Sequence, residues 1–247
     1  MTTTIDNLTA RPIRFTADIP GWQRILEALG GVLISEHPGW LVYQLGSGRV
    51  ALHASSEDQP AGSVSLALET STPLDEAIPA AAAAGAPIED VVLGHGRAGR
   101  VTAEDGTVLT LDSPTPSPDG ASATQRSLST LPIWYTTDTH VGRTTVAALG
   151  ARARTIADDG VWVDFSCDGG GLVAIHAADS VGAELGFEWA GNVEDAKELL
   201  DAAGITSRLI DESYSRTLQI EDPDGRKEIW VNEKMTDLYG YTLAEMD

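Results

Sequence analysis

Apolar side chains recur along this chain with two different periods. Trp22, Ile25, Leu26 and Leu29 fall on one helix face and stop at Gly30, a residue suited to the left-handed cap that ends helices. Three further stretches stop the same way: Pro73 to Ala84 runs into Gly85, His140 to Leu149 into Gly150, and Val193 to Ala203 into Gly204, with Asn192 as the N-cap of the last. Before each helix lies a run of period two, namely Ile13 to Ala17, Val64 to Leu68, Leu131 to Thr137 and Leu185 to Trp189. More strands follow each helix, separated by turns such as Asp105-Gly106 and Asp222-Pro-Asp-Gly225. The pattern predicts an α+β protein made of four βαβββ modules, paired into two domains whose curved mixed sheets surround a cleft.

A longer repeat supports the pairing. Gly46-Ser-Gly-Arg-Val-Ala-Leu-His53-Ala recurs as Gly169-Gly-Gly-Leu-Val-Ala-Ile-His176-Ala, Glu27-Ala-Leu-Gly30 as Ala147-Ala-Leu-Gly150, and Trp40 as Trp162. The offset of about 120 residues suits a duplicated domain rather than a short solenoid repeat. The expected boundaries are a first domain at 12–113, a Pro/Ser-rich linker at 114–127, a second domain at 128–236 and a C-terminal tail at 237–247.

Composition narrows the function. A formal net charge of -21 with only three lysines repels a phosphate backbone and an anionic membrane, so neither is an expected partner. An acidic cleft would favour a cationic ligand, although solubility alone accounts for such charge. No apolar run is long enough to span a bilayer, and the first residues lack a secretion signal, so a cytoplasmic protein is expected. The single cysteine, Cys167, has no partner for a disulfide or a thiolate metal site and reads as a small strand residue. A small-molecule ligand and a monomer or homodimer complete the expectation.

Four βαβββ modules, an Asp-Pro-Asp-Gly turn before the last strand, and helices ending in Ala-Leu-Gly or Ala-Ala-Gly resemble the vicinal-oxygen-chelate superfamily, the fold of glyoxalases, bleomycin-resistance proteins and extradiol dioxygenases. The resemblance spans nearly the whole chain. It implies a cleft in each domain, with any metal held by side chains on the first and last strands of paired modules.

Strand alternation says which residues occupy those slots. With Ile13 and Phe15 turned to the helix, Pro12, Arg14 and Thr16 face the first cleft; Ala51, His53, Ser63, Ser65 and Thr110 complete it, which is no metal site. In the second domain Pro132 and Trp134 take the first slot, His176 the next, and Glu184 the third, with Glu188 beside it. The superfamily commonly reads Asp-Pro-Asp-Gly-x-x-Ile-Glu, whereas here Glu228 precedes Ile229, and strict alternation turns Glu228 away unless a bulge or altered turn restores it. His176, Glu184 and Glu228 would then form a one-histidine, two-carboxylate set. The recurrence of His53 and His176 is equally explained by a duplicated scaffold in which each histidine bonds a nearby backbone carbonyl.

Other signals carry less. Gly94-His-Gly-Arg-Ala-Gly99 fits a dinucleotide-binding pattern, but a strand and a turn follow where a helix is required. Trp134 and Trp230 are the tryptophans expected in a cleft, while Trp22, Trp40, Trp162 and Trp189 read at least as well as core; His37, His95 and His140 read as solvent-facing. The ligand-binding expectation therefore rests on Arg14, His53, Trp134, His176, Glu184 and Trp230. The leading expectation is a metal-independent, bleomycin-resistance-like binding protein with no cofactor that sequesters or carries a metabolite or drug. The alternative is a divalent-metal-dependent lyase, isomerase or dioxygenase acting in the second domain, with Glu188 as its candidate proton-transfer base. A third reading, protein association with vestigial clefts, also stands.

Overall fold

The computed structural model describes residues 5–118, 123, 127–212, 215–225 and 227–244. After a short strand β1 (Thr9–Ala10), the first module comprises β2 (Ile13–Thr16), α1 (Ile19–Ala28), β3 (Val32–His37), β4 (Trp40–Gln44) and β5 (Arg49–Ala54). The second comprises β6 (Val64–Glu69), α2 (Leu74–Ala83), β7 (Ile88–Leu93), β8 (Gly96–Thr102) and β9 (Val108–Asp112). The third comprises β10 (Leu128–Thr136), α3 (Thr139–Ala148), β11 (Arg152–Ala157), β12 (Trp162–Ser166) and β13 (Leu172–Ala177). The fourth comprises β14 (Gly182–Trp189), α4 (Val193–Ala202), β15 (Ser207–Asp211), β16 (Arg216–Ile220) and β17 (Ile229–Glu233), and β18 (Tyr241–Leu243) follows. Four βαβββ modules are thus present. Each helix stops where the glycine pattern places it, with φ of +86° at Gly30, +101° at Gly85, +101° at Gly150 and +68° at Gly204. The Asn192 side chain caps α4 by accepting from the Glu194 amide, and Asp18 and Asp138 cap α1 and α3 in the same way.

Within a module the first and last strands pair in parallel, as in Tyr135↔His176 between β10 and β13. Antiparallel pairing of the two leading strands joins the modules: β2 with β6, and β10 with β14. Each domain is therefore one mixed nine-stranded sheet. The segment read as a C-terminal tail supplies β18, which pairs with β11 at the edge of the second sheet. Much of the expected linker, 119–122 and 124–126, lies outside the described residues.

The helices lie at the seam, and the cores cross between domains. Modules one and four share a cluster that includes Trp22, Leu26, Phe187, Trp189 and Leu218. Modules two and three share another that includes Leu68, Leu111, Trp134, Val146 and Phe165. Trp22, Trp134, Trp189 and Phe187 are among the largest fully buried side chains, and truncating one such aromatic costs about 3–5 kcal/mol.

The seam also explains the recurrent glycine segments. Ser47 lies beside Ser129 and Gly170 beside Thr9 in isolated bridges between the domains. At Gly48, where φ is +76°, an added Cβ would sit 2.6 Å from Thr130 Cγ2 and 2.7 Å from the Gly171 Cα. Only glycine lets the two hairpins approach so closely.

Gly94-His95 forms the turn of the β7–β8 hairpin, and β8 begins at Gly96, so no helix follows the glycine-rich stretch. Cys167 is free and buried, in the turn before β13 rather than in a strand.

Candidate functional site

The helix-free face of the second sheet forms a cavity of about 750 Å³, within the range that encloses a drug-sized molecule. Its walls come from Ile133 and Tyr135 of β10, Arg154 of β11, Trp162 and Asp164 of β12, His176 of β13, Glu184 and Glu188 of β14, and Trp230 and Asn232 of β17. The rim includes Pro60 to Ser63 of the first domain. After β17 the chain passes to the far edge of the sheet to form β18, and Met235 and Tyr241 of that segment also line the cavity.

Arg154 organises the floor. Its Nε and Nη2 each donate to Asp164 at 2.8 Å, while Nη1 and Nη2 donate to Glu188 at 2.8 and 2.7 Å. Burial works against the guanidinium charge, but the two carboxylates outweigh it and hold Arg154 protonated. Asp164 also receives the Trp162 indole N–H at 3.4 Å. Glu188, the candidate base, is thus engaged by Arg154 through both oxygens.

His176 is set by its backbone. Nδ1 lies 2.6 Å from the Ala177 carbonyl, and the ring packs between Tyr135 and Trp162 at centroid distances of 5.6 and 5.8 Å. The first domain repeats this unit: His53 Nδ1 lies 2.7 Å from the Ala54 carbonyl, between Phe15 and Trp40. At the cavity mouth Glu184 contacts Lys227 and accepts from the Tyr135 hydroxyl at 3.1 Å. Burial, reinforced by Glu184, pushes the Tyr135 phenol above its ordinary range.

Several expectations need correction. Trp134 is fully buried in the seam core and donates to Asp105 Oδ2 at 3.0 Å, so it is not a cleft residue. The cleft face of β10 carries Ile133 and Tyr135 instead, and Trp162, read as core, lines the cavity. In β2 the phase is reversed as well: Ile13 packs with the Ile34, Val42 and Ala51 cluster, and Phe15 against His53, on the cleft side. Arg14 turns to the seam, where Nη2 meets Asp222 at 2.5 Å and Asp224 at 3.2 Å and its guanidinium stacks over Trp22. It also lines the large cavity, with its guanidinium held by the two aspartates. Glu184, His176 and Trp230 line that cavity, whereas His53 does not and instead packs between Phe15 and Trp40 in the first domain.

Glu228 does not turn away. Ile229 and Val231 enter the core, so Glu228 precedes β17 in phase with Trp230 and Asn232 and stands exposed at the cavity mouth. Even so, no three His, Cys, Asp or Glu side chains come together as a metal-holding group among the described residues. His176 and Glu184 lie on opposite sides of β10, and Glu184 is taken by Lys227. The residues present do not fit the divalent-metal site of the alternative reading.

The first domain holds a buried charged network that sequence reading missed. Arg11 Nε lies 2.7 Å from Glu69, Arg11 Nη2 lies 2.6 Å from Asp112, and Arg49 Nη1 lies 2.5 Å from Glu69. Thr115 of the following segment donates to Glu69 at 2.6 Å. His95, read as solvent-facing, reaches Asp112 at 2.9 Å while remaining half-exposed. The signal was available, because Glu69 alternates in phase with Ser65 and Ala67, and Asp112 with Thr110.

No protein-family model matches the chain, and no curated protein matches it. Solved structures do. Homoprotocatechuate 2,3-dioxygenase from Brevibacterium fuscum, in an anaerobic complex with 3,4-dihydroxyphenylacetate, superimposes with a TM-score of 0.63 at 16% identity, covering 95% of this chain and 82% of that one. BphC, a halotolerant catechol dioxygenase, gives 0.58 at 13% identity over 95% and 88% of the two chains. The 2,3-dioxygenase LapB from Pseudomonas sp. KL28 gives 0.61 at 13% identity over 97% and 96%. The chain has the fold these proteins share, an α+β arrangement of four βαβββ modules in two mixed sheets. No helix among the described residues is long and apolar enough to cross a membrane.

Proposed function

We propose that the chain binds a small organic molecule in its second-domain cavity without a metal, and that it sequesters or carries a metabolite or drug. One observation carries this reading. The floor carboxylates Asp164 and Glu188, both buried, are already neutralised in part by Arg154, so they are engaged by a protein cation and are not held ready for a metal ion. The surrounding aromatic walls and the volume of about 750 Å³ suit a bound organic ligand. His176, Glu184 and Trp230 are its proposed contacts.

The test is elemental analysis of untagged protein prepared without chelator, followed by titration with zinc, nickel, manganese and ferrous iron. This reading expects no stoichiometric metal and no change of metal content in His176→Ala or Glu228→Gln. Stoichiometric metal lost in either variant would overturn it.

A metal-dependent dioxygenase, lyase or isomerase is the second reading, favoured by the likeness to catechol-cleaving dioxygenases. It requires Glu184 to leave Lys227 and the mouth to rearrange before His176, Glu184 and Glu228 can converge.

A further inference from the structure

We infer that the cavity selects organic cations: its ligand carries a protonated or quaternary nitrogen on a flat or apolar body. The inference rests on the cavity being the binding site and adds the charge class. Six carboxylates line the cavity, from Asp164, Glu184, Glu188, Asp222, Glu228 and Glu233, against three cationic side chains, Arg14, Arg154 and Lys227. The pairing is not even. Lys227 neutralises Glu184, Arg216 pairs with Glu233 from outside the cavity lining, and Arg14 is spent on Asp222 and Asp224 in the seam. Arg154 faces two carboxylates with one charge, which leaves the floor one negative charge in excess. Glu228 adds another at the mouth with no basic partner among the described residues.

Among the described residues an anionic ligand finds no uncommitted guanidinium in the cavity. Four donor contacts of Arg154 already go to Asp164 and Glu188, so its guanidinium fork is not free to grip a second carboxylate. A cation finds both parts of a receptor. Tyr135, Trp162 and Trp230 present aromatic surface to the same space, and ring faces attract a poorly hydrated cation while packing against its apolar body. Because the floor carboxylates are buried, their excess charge is worth more than that of the exposed carboxylates elsewhere on the chain.

Isothermal titration of the full chain with three probes of one shape tests this: 1-naphthylmethylammonium, 1-naphthylmethanol and 1-naphthoate. The cation is expected to bind on the order of tenfold tighter than the neutral alcohol, with the anion weakest. In Asp164→Asn, which keeps the Arg154–Glu188 pair, the preference for the cation is expected to fall severalfold while alcohol binding holds. Glu228→Gln, at the exposed rim, gives a smaller fall in the same direction and guards against a misfolded floor variant. Equal or tighter binding of the alcohol or the naphthoate overturns the charge class and leaves the cavity as a binding site. A cation preference unchanged in both variants places binding on the acidic surface and also overturns it. Binding of none of the three overturns the inference together with the binding reading on which it rests.

Discussion

Arg14 and Trp134 occupy the same position in the two halves of the chain, and each reaches across the seam to an aspartate on the turn before the other half's closing strand. Arg14 meets Asp222 and Asp224 ahead of β17, and Trp134 meets Asp105 ahead of β9. The seam therefore has a near two-fold arrangement in which module one packs on module four and module two on module three. Both residues bury their side chains there; Trp134 is kept out of the ligand cavity altogether, while Arg14 lines it with its guanidinium already committed to the two aspartates.

Removing the guanidinium should hurt more than removing the indole bond. Arg14→Ala leaves two buried carboxylates without a counter-charge, and breaking such a pair from one side costs about 3–5 kcal/mol. Trp134→Phe keeps most of the apolar contact and removes one of several donors to Asp105, which still accepts the Thr107 amide, at about 1 kcal/mol. Urea unfolding of both variants measures the difference. A smaller loss for Arg14→Ala than for Trp134→Phe would contradict the placement of Asp222 and Asp224 as its partners.

The same seam was the part of the molecule least legible in the sequence. Helix ends were readable because each left-handed glycine sits where apolar periodicity stops, and the four leading strands alternate. The phase of β2 was not readable. Hydropathy assigns Arg14 to solvent or a cleft, yet here the cleft face is the apolar one, with Ile13 and Phe15, and the charged residue is buried against aspartates more than two hundred positions away. In β10 the run Leu131-Pro-Ile-Trp-Tyr135 is apolar throughout because both faces are covered, so alternation supplies no phase at all. The Arg154 network was hidden for a related reason. Its three members lie on β11, β12 and β14, and only sheet pairing brings them together.

Acid should loosen the seam. Burial alone would raise the Asp224 carboxyl, but the Ala17 amide, the Thr16 hydroxyl and Arg14 outweigh it and hold the group below its ordinary range. Asp105 behaves alike: burial raises it, and the Thr107 amide, the Thr136 and Thr107 hydroxyls and the Trp134 indole together lower it further. A carboxyl depressed in the folded state adds stability above its unfolded value of about 3.9 and loses it as pH falls through the folded value. The urea midpoint is therefore expected to fall progressively as the pH drops below about 4. Asp224→Asn should be less stable near neutrality but lose less on acidification; parallel curves for the two proteins would remove Asp224 as a source of the pH dependence.

Arg154 should resist conservative replacement. Lysine carries the charge but not the planar fork that serves Asp164 and Glu188 together, so Arg154→Lys is expected to lose about 1–3 kcal/mol even though the net charge is unchanged. Pairing Arg154→Met with Asp164→Asn and Glu188→Gln removes charge from all three positions and should recover part of the stability lost in Arg154→Met alone. Thermal unfolding of the single and triple variants decides it, and a triple variant no more stable than the single would mean that the floor is held by packing rather than by the ion pairs.

Cys167 reports on the seam without any substitution. Its thiol is buried beside the backbone of Ala10, and burial, with the neighbouring Asp168 carboxylate, pushes its pKa up to about 12. Only the thiolate reacts readily with disulfide reagents, so the native protein should be silent to such a reagent at pH 8. The Asp168 carboxylate meanwhile accepts the amides of Asn7 and Leu8 at 3.1 and 2.6 Å, which ties the turn carrying Cys167 to the N-terminal segment of the first domain. Opening that contact exposes the thiol. Asp168→Asn is therefore expected to raise the labelling rate under native conditions by more than it lowers the global urea midpoint, because local release of the turn suffices. Labelling that tracks global unfolding in both proteins would show that the turn and the seam open only as one unit.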